Sequence, residues 1–421
     1  MTGGNRSTCV IIRSLHGQIL VVTVLILYFA CVAVKARQAG WTAAWTMVGV
    51  QSMVPPFTDL ALDLQGLDRY RAGTDVAEIQ KKVAYPPLWM WTFAPTGLGE
   101  QDAFLLGLTF GGLVTAVTIL LLGRLSLAEG IFTALLLISP SFMIGIERSN
   151  VDLIIFLIVV PAIWLLSRQA SSLWGPALLI FWAALLKLYP IAAVVAFVKK
   201  KNGWRFLTVC SVLFAAYCLL SLDDLKRIAM YSGRDVSLSF GSMVSLDRVY
   251  LFQQRHSATY FAKQWFELAG LAGALVVAAL TITFTWRRQL EASLSVNLAG
   301  MAFLAGAAIH LFCFLMGNHY AYRLRWLILI VPQLFLWIRE RGPAHKRAIV
   351  TAAAFLCSVY ATSWDYGNLR SRAAIPVDFL NWLLFAVVVS LLFSALKTEL
   401  ISVLQKFHLG RYLTSPTTAK W

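Results

Sequence analysis

Long apolar runs recur from one end of the chain to the other. Each run has about 18 to 25 residues, which as a helix is long enough to cross the ~30 Å hydrocarbon core of a bilayer. Hydrophobic residues make up 59% of the chain and charged residues only 13%, whereas about a quarter of the residues of a soluble protein are charged. The sequence therefore predicts an all-α, polytopic membrane protein and excludes a soluble enzyme, a fibrous protein and a disordered chain.

The apolar runs predict a bundle of about 11 to 13 membrane helices, which forms a single domain over residues 1–421. Basic residues precede the first run, which we interpret as an uncleaved signal anchor. Outside the membrane segments we expect a first outer loop over residues 37–102, a second large outer loop over 223–265 and a cytoplasmic tail over 397–421. The predicted membrane segments are 19–34, 103–123, 128–146, 151–167, 173–198, 204–222, 266–285, 293–316, 324–338, 346–363 and 378–396.

The apolar stretch 173–198 is predicted to be broken near Lys187. An unbroken helix would leave the basic cluster that begins at Lys199 outside, against the positive-inside rule. Pro190 favours a break because proline lacks an amide donor and clashes with the preceding turn of a helix. Short, interrupted helices are tolerated where they line a cavity inside a membrane protein. With this break, the cytoplasmic side carries half of the 36 basic residues and only four acidic ones.

Five polar clusters fall on the outer side of this arrangement. A charge near the bilayer centre costs at least ~2.5–3.5 kcal/mol, so such residues usually face a cavity. We therefore predict one extracytoplasmic site on which the clusters converge, in a sequence without the internal repeat typical of transporters. The clusters are Asp59 with Asp63, Tyr85-Pro86-Pro87, Glu147 to Asp152, Lys187 to Pro190, and Asn318 to Arg325.

The acidic clusters and the lysine each have a structural interpretation beside the functional one. Asp59 and Asp63 lie one turn apart beside a stripe of leucines, as on the solvated flank of an interfacial helix. Alternatively, one of them is a general base that deprotonates a sugar hydroxyl. The segment from Glu147 to Asp152 is typical of a polar helix hairpin or belongs to the site. Lys187 either binds a lipid phosphate or pairs with an acid of that hairpin.

The last cluster combines His319 with Arg323 and Arg325 at the predicted start of a helix. Arginine suits bidentate phosphate recognition, and a helix N-terminus adds amides that favour anions. The competing interpretation is an ordinary interfacial anchor. His319 is a base, a hydrogen-bond donor to a phosphate or a capping residue. His310 lies within an apolar run, which is typical of a core residue.

Metal and nucleic-acid partners are not expected. The sequence has no CxxC pair and no DxD motif, so we predict no metal ion at the site. The net charge of +16 is not gathered into a basic stripe or a nucleic-acid-binding motif. The partner that the composition predicts is instead the bilayer.

The ordered set of polar motifs resembles glycosyltransferase family 87. Thr58-Asp59 in a long first outer loop is followed by Tyr85-Pro86-Pro87, then by Glu147-Arg148-Ser149-Asn150-Val151-Asp152 and by Lys187-Leu188-Tyr189-Pro190. That family belongs to the GT-C superfamily of membrane enzymes that use polyprenyl-phosphate sugars. The chain departs from the family pattern after Gly73-Thr74-Asp75, where it has Val76-Ala77, and after Asp59, where aromatic residues are usual.

The resemblance implies transfer of a mannose- or arabinose-like sugar from a polyprenyl monophosphate to a glycan or glycolipid hydroxyl. The reaction would occur on the extracytoplasmic face of the plasma membrane, in cell-envelope polysaccharide synthesis, and without a cofactor besides the lipid-linked donor. Asp59 would be the catalytic base, with Asp63 as the fallback. The implied donor-phosphate ligands are Lys187, Arg148 and Arg323, and the implied positioning residues are Asn150, Asp152, Tyr85, Tyr189 and His319.

Two other functions fit the same polar clusters. A lipid-linked glycan polymerase or ligase would use diphosphate donors, and a transporter or flippase would use the same cavity and basic residues without chemistry. A requirement for Asp59 in turnover and the release of polyprenyl monophosphate distinguish the three.

Overall fold

The computed structural model describes residues 5–168, 172–231, 239–256, 263–317, 319–364 and 374–406, and these residues are almost entirely helical. Parts of the second outer loop (232–238 and 257–262), Asn318 and the tail after residue 406 lie outside the described residues. The α-helices are α1 (Asn5–Ala39), α2 (Trp41–Met47), α3 (Thr58–Arg71), α4 (Val76–Ile79), α5 (Pro87–Phe93), α6 (Ala103–Leu122), α7 (Leu127–Leu137), α8 (Pro140–Arg148), α9 (Asp152–Ser167), α10 (Trp174–Leu186), α11 (Gly203–Leu220), α12 (Leu222–Tyr231), α13 (Val244–His256), α14 (Lys263–Arg287), α15 (Leu298–Leu315), α16 (Val331–Glu340), α17 (His345–Trp364) and α18 (Ala374–Lys406).

Short 3-10 helices and one small sheet complete the fold. The 3-10 helices are Ala94–Thr96, Glu100–Asp102, Tyr189–Lys199 and Ala321–Ile330. Strand β1 (Ser239–Phe240) pairs antiparallel with β2 (His319–Tyr320), with Phe240 opposite His319. This pairing brings part of the second outer loop against the last polar cluster.

Seven helical segments in the described part of the chain are long and apolar enough to cross a membrane, and the protein is therefore a multi-pass, all-α membrane protein. An eighth span is formed if α7 and α8, which meet at 50°, count as one. Helices α9 and α10 and the 3-10 helix Tyr189–Lys199 are apolar but shorter. The all-α, multi-pass class predicted from the sequence is confirmed, while the GT-C-like arrangement of the bundle and the total of 11 to 13 spans stay predictions.

The predicted break in the stretch 173–198 is confirmed. Helix α10 ends at Leu186, and a 3-10 helix begins at Tyr189, directly before Pro190. At about 1.5 Å and 2.0 Å per residue, the two helices are each roughly 20 Å long, and they pack against each other. Lys187 therefore lies at one end of the bundle, and Lys199, which pairs with Glu399 at 2.5 Å, lies at the other.

Polar contacts between segments mark the end of the bundle that contains Lys199. Three further contacts of this kind lie there. They are Arg339 to Glu129 at 2.5 Å, Arg347 to the backbone oxygen of Glu291 at 2.6 Å, and Lys397 to Gln289 at 2.5 Å. The polar clusters of the predicted outer side meet at the opposite end. The bundle thus has two distinct polar ends.

The centre of the bundle is formed by α15 with the 3-10 helices Tyr189–Lys199 and Ala321–Ile330. Small residues allow these segments to approach closely. A Cβ atom on Gly306 of α15 would lie 2.6 Å from the Cβ atom of Leu329, so only glycine fits there. This packing places the segments that follow Lys187 and His319 against the same helix.

The first outer loop forms helices α2 to α5. As the leucine stripe predicts, a helix forms here; it starts at Thr58, shortly after Pro55-Pro56, and its residues Leu60, Leu64 and Leu67 are buried. The membrane helix α1 continues to Ala39, so this loop begins slightly later than expected. Likewise, α18 continues to Lys406 and occupies the first part of the predicted tail.

Candidate active site

Asp59 lies in the first turn of α3, at the end of the bundle that contains Lys187. Phe57, directly before this helix, adopts a left-handed backbone conformation with φ of 57°, which turns the chain into α3. The side-chain amide of Asn150 donates to Asp59 Oδ2 at 2.8 Å. Asp59 is half-buried, so its carboxylate is anchored on one oxygen and still reachable from outside.

Asn150 connects Asp59 to the buried charges of the site. Its Oδ1 atom accepts from Lys187 Nζ at 2.9 Å and from the backbone N–H of Asp152 at 3.1 Å. It lies in the sharp turn between α8 and α9, where Ser149 has φ of 48°. This turn presents the amide between Asp59 and Lys187.

Asp152 is fully buried and lies between two cations. It forms ion pairs with Lys187 and, at 3.3 Å, with Arg323 Nε. Of the two acids considered as partners of Lys187, the structure therefore brings Asp152 to it. Glu147 binds elsewhere, to the first outer loop. Because two cations, Lys187 and Arg323, share one carboxylate, the three residues together carry a net positive charge.

Aromatic rings cover the cations of the site. The ammonium of Lys187 lies 5.0 Å from the centre of the Tyr85 ring, and the guanidinium of Arg323 lies 5.2 Å from the centre of the Tyr189 ring. Such cation–π contacts are attractive and are strengthened when the cation is desolvated. Burial, followed by the charge of Asp63, raises the pKa of Tyr85 well above its ordinary value, so this ring stays neutral.

His319 and Arg148 lie beside this group. His319, in β2, contacts the guanidinium of Arg323 through Nδ1. Arg148 is 7% exposed, and its guanidinium lies over the ring of Tyr320 at 5.6 Å. Among the described residues, no carboxylate lies within 4.0 Å of Arg148, and its Nε atom has no hydrogen-bond partner. Arg148 is thus a buried cation that meets no acidic partner in the described part of the chain.

Asp63, one turn after Asp59, is 4% exposed, and its Oδ2 atom has no partner among the described residues. The structural interpretation of this residue, a position on the solvated flank of a helix, is therefore wrong. Burial raises the pKa of Asp63 well above its ordinary value, and the charges of Asp59 and Asp152 add to the shift while Lys187 opposes it. At 4% exposure this carboxyl is hardly accessible to an external hydroxyl, whereas Asp59 is half-buried.

All nine residues predicted for the site thus lie at one end of the bundle. Contacts link Asp59, Asn150, Lys187, Asp152, Arg323 and His319 into a chain, Tyr85 and Tyr189 cover the cations, and Arg148 precedes Asn150 by two residues. Their roles in catalysis and binding stay predictions.

Two residues of the neighbouring helix α8 have roles that the sequence analysis did not identify. Glu147 is fully buried and accepts hydrogen bonds from Trp41 Nε1 at 3.0 Å, Ser52 Oγ at 2.7 Å and the backbone N–H of Met53 at 3.3 Å. It therefore fastens the first outer loop to α8. Gly145, one turn before Ser149, leaves room for the guanidinium of Arg325.

Arg325 was considered a phosphate ligand, but its guanidinium binds backbone oxygens. Nε donates to the carbonyl of Tyr322 at 3.0 Å, and Nη2 donates to the carbonyl of Phe142 at 3.1 Å. The side chain is 2% exposed. Arg325 thus joins the 3-10 helix Ala321–Ile330 to α8. The sequence feature that indicates such a buried contact is an arginine within an apolar helical segment.

The described residues contain no group of three or more His, Cys, Asp or Glu side chains that could hold a metal ion. The candidate site thus combines a partly exposed carboxylate, Asp59, with the nearby cations Lys187 and Arg323. Comparisons of the chain with protein-family models, curated proteins and solved structures find no match. The function therefore has to be argued from the residues themselves.

Proposed function

We propose that the protein is a membrane glycosyltransferase that moves a sugar from a polyprenyl-monophosphate donor to a hydroxyl of a glycan or glycolipid. The observation that carries this proposal is the closeness of a reachable carboxylate, Asp59, to buried cations, linked to it through Asn150. Sugar transfer from a phosphate needs both a base for the acceptor and a cationic site for the leaving group. The order of the motifs along the chain, which resembles glycosyltransferase family 87, supports the same reaction.

Asp59 is the proposed general base. One of its oxygens is held by Asn150, and the residue is half-buried at the end of the bundle. In the reaction, an acceptor hydroxyl oxygen forms a bond to the anomeric carbon while its proton passes to Asp59. The bond between the anomeric carbon and the phosphate oxygen breaks, and its electron pair leaves with the polyprenyl phosphate. Because phosphate is a good leaving group, no second carboxyl is needed as an acid, unlike in glycoside hydrolases.

The predicted phosphate ligands Arg148, Lys187 and Arg323 lie together and give the proposed donor-phosphate site its positive charge. Lys187 and Arg323 share the charge of Asp152, so that pair of cations keeps a net positive charge. Arg148 has no acidic partner among the described residues and carries the fork of donors that suits a phosphate. Charged groups held in a buried site stabilise a developing anion far more than they would in water.

The remaining site residues are proposed to position the substrates. Tyr85 and Tyr189 present rings next to the cations, and His319 contacts Arg323. We place the site on the extracytoplasmic face of the plasma membrane, because the positive-inside rule assigns the opposite end of the bundle to the cytoplasm. The multi-pass architecture supports a substrate that resides in the bilayer.

Turnover by the purified protein in nanodiscs tests the proposal. A panel of radiolabelled polyprenyl-phosphate sugars would be offered with a membrane glycolipid extract, and wild type would be compared with Asp59→Asn. We expect sugar transfer and release of polyprenyl monophosphate by wild type, and a loss of about 10²-fold or more in the variant. Asp223→Asn, at an exposed position of α12, is a matched control that should transfer like wild type.

Other outcomes select the alternatives. Release of polyprenyl diphosphate would identify a polymerase or ligase. Binding of the donor without transfer, together with movement of the lipid between leaflets of a vesicle, would identify a transporter. Equal activity of wild type and Asp59→Asn would exclude Asp59 as the base.

A further inference from the structure

Lys187 was expected to bind a lipid phosphate, but groups of the protein surround its ammonium. The side chain is 7% exposed. Its Nζ atom donates to Asn150 Oδ1 at 2.9 Å, pairs with the carboxylate of Asp152 and lies 5.0 Å from the centre of the Tyr85 ring. An ammonium has three N–H groups, and three protein groups already face it. Direct binding of a phosphate would require one of these contacts to break.

The contact with Lys187 determines which way the amide of Asn150 points. Asn150 Oδ1 faces two donors, Lys187 Nζ and the backbone N–H of Asp152. If the amide were rotated by half a turn, its NH2 group would meet both donors, which is unfavourable. The NH2 group is therefore directed to the other side, where it donates to Asp59 Oδ2 at 2.8 Å.

We propose that Lys187 is a positioning residue for Asp59, acting through the amide of Asn150. This inference rests on the proposed function, in which Asp59 is the base. The amide holds Oδ2 of the carboxylate, which leaves Oδ1 to accept the proton of the acceptor hydroxyl. Asp152 in turn holds the ammonium of Lys187 in place. A chain of alternating donors and acceptors thus runs from the buried carboxylate of Asp152 to the catalytic carboxylate.

The two basic residues then have different tasks. Lys187 orients the base, and Arg148, which has no acidic partner among the described residues, carries the direct contact with the donor phosphate. Loss of orientation slows the chemical step, whereas loss of a phosphate ligand weakens binding of the donor. Kinetics can separate these effects because the first lowers kcat and the second raises KM.

Three variants test this division: Lys187→Met, Asn150→Ala and Arg148→Gln. Transfer kinetics would be measured together with the affinity for farnesyl phosphate, a short polyprenyl phosphate, by calorimetry. We expect Lys187→Met and Asn150→Ala to lower kcat by about 10²-fold, as for a small misplacement of a catalytic group, with farnesyl phosphate affinity within about twofold of wild type. Arg148→Gln should instead weaken farnesyl phosphate binding by about tenfold or more.

The proposal also predicts that the effects of Lys187→Met and Asn150→Ala on kcat do not add, since both act through the same hydrogen bond from Asn150 to Asp59. If Lys187→Met weakened farnesyl phosphate binding as much as Arg148→Gln, with kcat unchanged, Lys187 would be a phosphate ligand and the proposal would be wrong. Asn150→Ala keeps the ion pair of Lys187 with Asp152, so an unchanged kcat in this variant would also contradict the proposal, even if Lys187→Met does not fold. A wild-type protein that transferred no sugar would instead overturn the proposed function, and this inference with it.

Discussion

Asn150 donates its side-chain amide to Asp59 at 2.8 Å across 91 positions of the chain. This bond joins the turn between α8 and α9 to the first turn of α3. The turn belongs to the helical bundle, whereas α3 belongs to the first outer loop. A residue in a loop is thus fixed by a residue of the scaffold, which is the arrangement that holds a catalytic group within the small tolerance that transfer reactions allow.

The charge and the shape of Arg148 should both matter for donor binding. Arg148→Lys keeps the charge but loses the planar fork of donors, whereas Arg148→Gln loses the charge as well. We expect the KM for the polyprenyl-phosphate donor to rise about tenfold or more in Arg148→Gln and by a smaller factor in Arg148→Lys. Steady-state kinetics with varied donor would measure both values. A matched control is Arg168→Gln, an exposed arginine at the end of α9, and an equal rise there would contradict the assignment.

Asp59 and Asp63 should differ in their need for a carboxylate. The pKa of Asp63 lies well above its ordinary value, chiefly because the side chain is buried. The raised pKa favours the protonated form of this carboxyl, and an amide mimics that form. We therefore expect Asp63→Asn to keep transfer activity within a few-fold of wild type, in an assay in which Asp59→Asn is inactive. Inactivity of Asp63→Asn in a folded protein would make Asp63 the base.

The raised pKa of Asp63 also predicts a pH dependence of stability. The native state binds this proton more tightly than the unfolded chain does, whose Asp groups titrate near pH ~4. The stabilisation is fully present below that pH and is lost as the pH rises through the native pKa. Because Asn cannot ionise, the Tm of Asp63→Asn should increase relative to the Tm of wild type as the pH rises. A constant difference between the two melting temperatures would contradict the shift.

Glu147 should be replaceable by glutamine but not by alanine. Its oxygen accepts from Trp41, Ser52 and Met53, and the amide oxygen of glutamine accepts the same bonds. Glu147→Ala leaves these donors without an acceptor, which costs about 1–3 kcal/mol. We expect a lower Tm and reduced transfer in Glu147→Ala and near-normal values in Glu147→Gln. Equal melting temperatures for both variants would show that the loop is held by other contacts.

Much of the fold could be predicted because the bilayer imposes strong rules on a sequence. The apolar runs identify the helices, and Pro190 with the basic cluster at Lys199 locates the break that the structure has at Lys187. The convergence of Asp59 with Asn150 was predicted only as a shared end of the bundle. Hydropathy assigns a residue to a side of the membrane, but it does not give the partner that the residue meets there.

The partners depend on packing that is not visible in a single sequence. Lys187 was assigned a phosphate or an acid as partner, and the selection of Asp152 depends on how α9 packs against α10. Glu147 resembled a hairpin residue, and its bonds to Trp41 and Ser52 require the fold of the first outer loop. The length of each apolar run and the sign of each charge can be read directly from the sequence, whereas such long-range pairings cannot.

Gly145 should be the glycine of the site region that tolerates alanine least. A Cβ atom at this position would lie 1.6 Å from Nη2 of Arg325, whose guanidinium is fixed on two backbone carbonyls. Overpacking of this kind costs about 1–3 kcal/mol. We expect Gly145→Ala to lower the Tm, whereas Gly112→Ala in α6, where nothing lies within 4 Å, should leave it equal or raise it. Equal effects of the two substitutions would show that Arg325 adjusts at no cost.

The break at Lys187 and the positive-inside rule together predict which side of the membrane each end of the bundle faces. Leu188 is half-exposed beside the site, and Lys201 is exposed after the 3-10 helix that returns from it. In a background without other cysteines, a membrane-impermeant maleimide added to intact cells should modify Leu188→Cys and not Lys201→Cys. Permeabilisation should expose Lys201→Cys as well. Labelling of Lys201→Cys alone in intact cells would invert the topology and place the candidate site on the cytoplasmic face, where nucleotide sugars are the available donors.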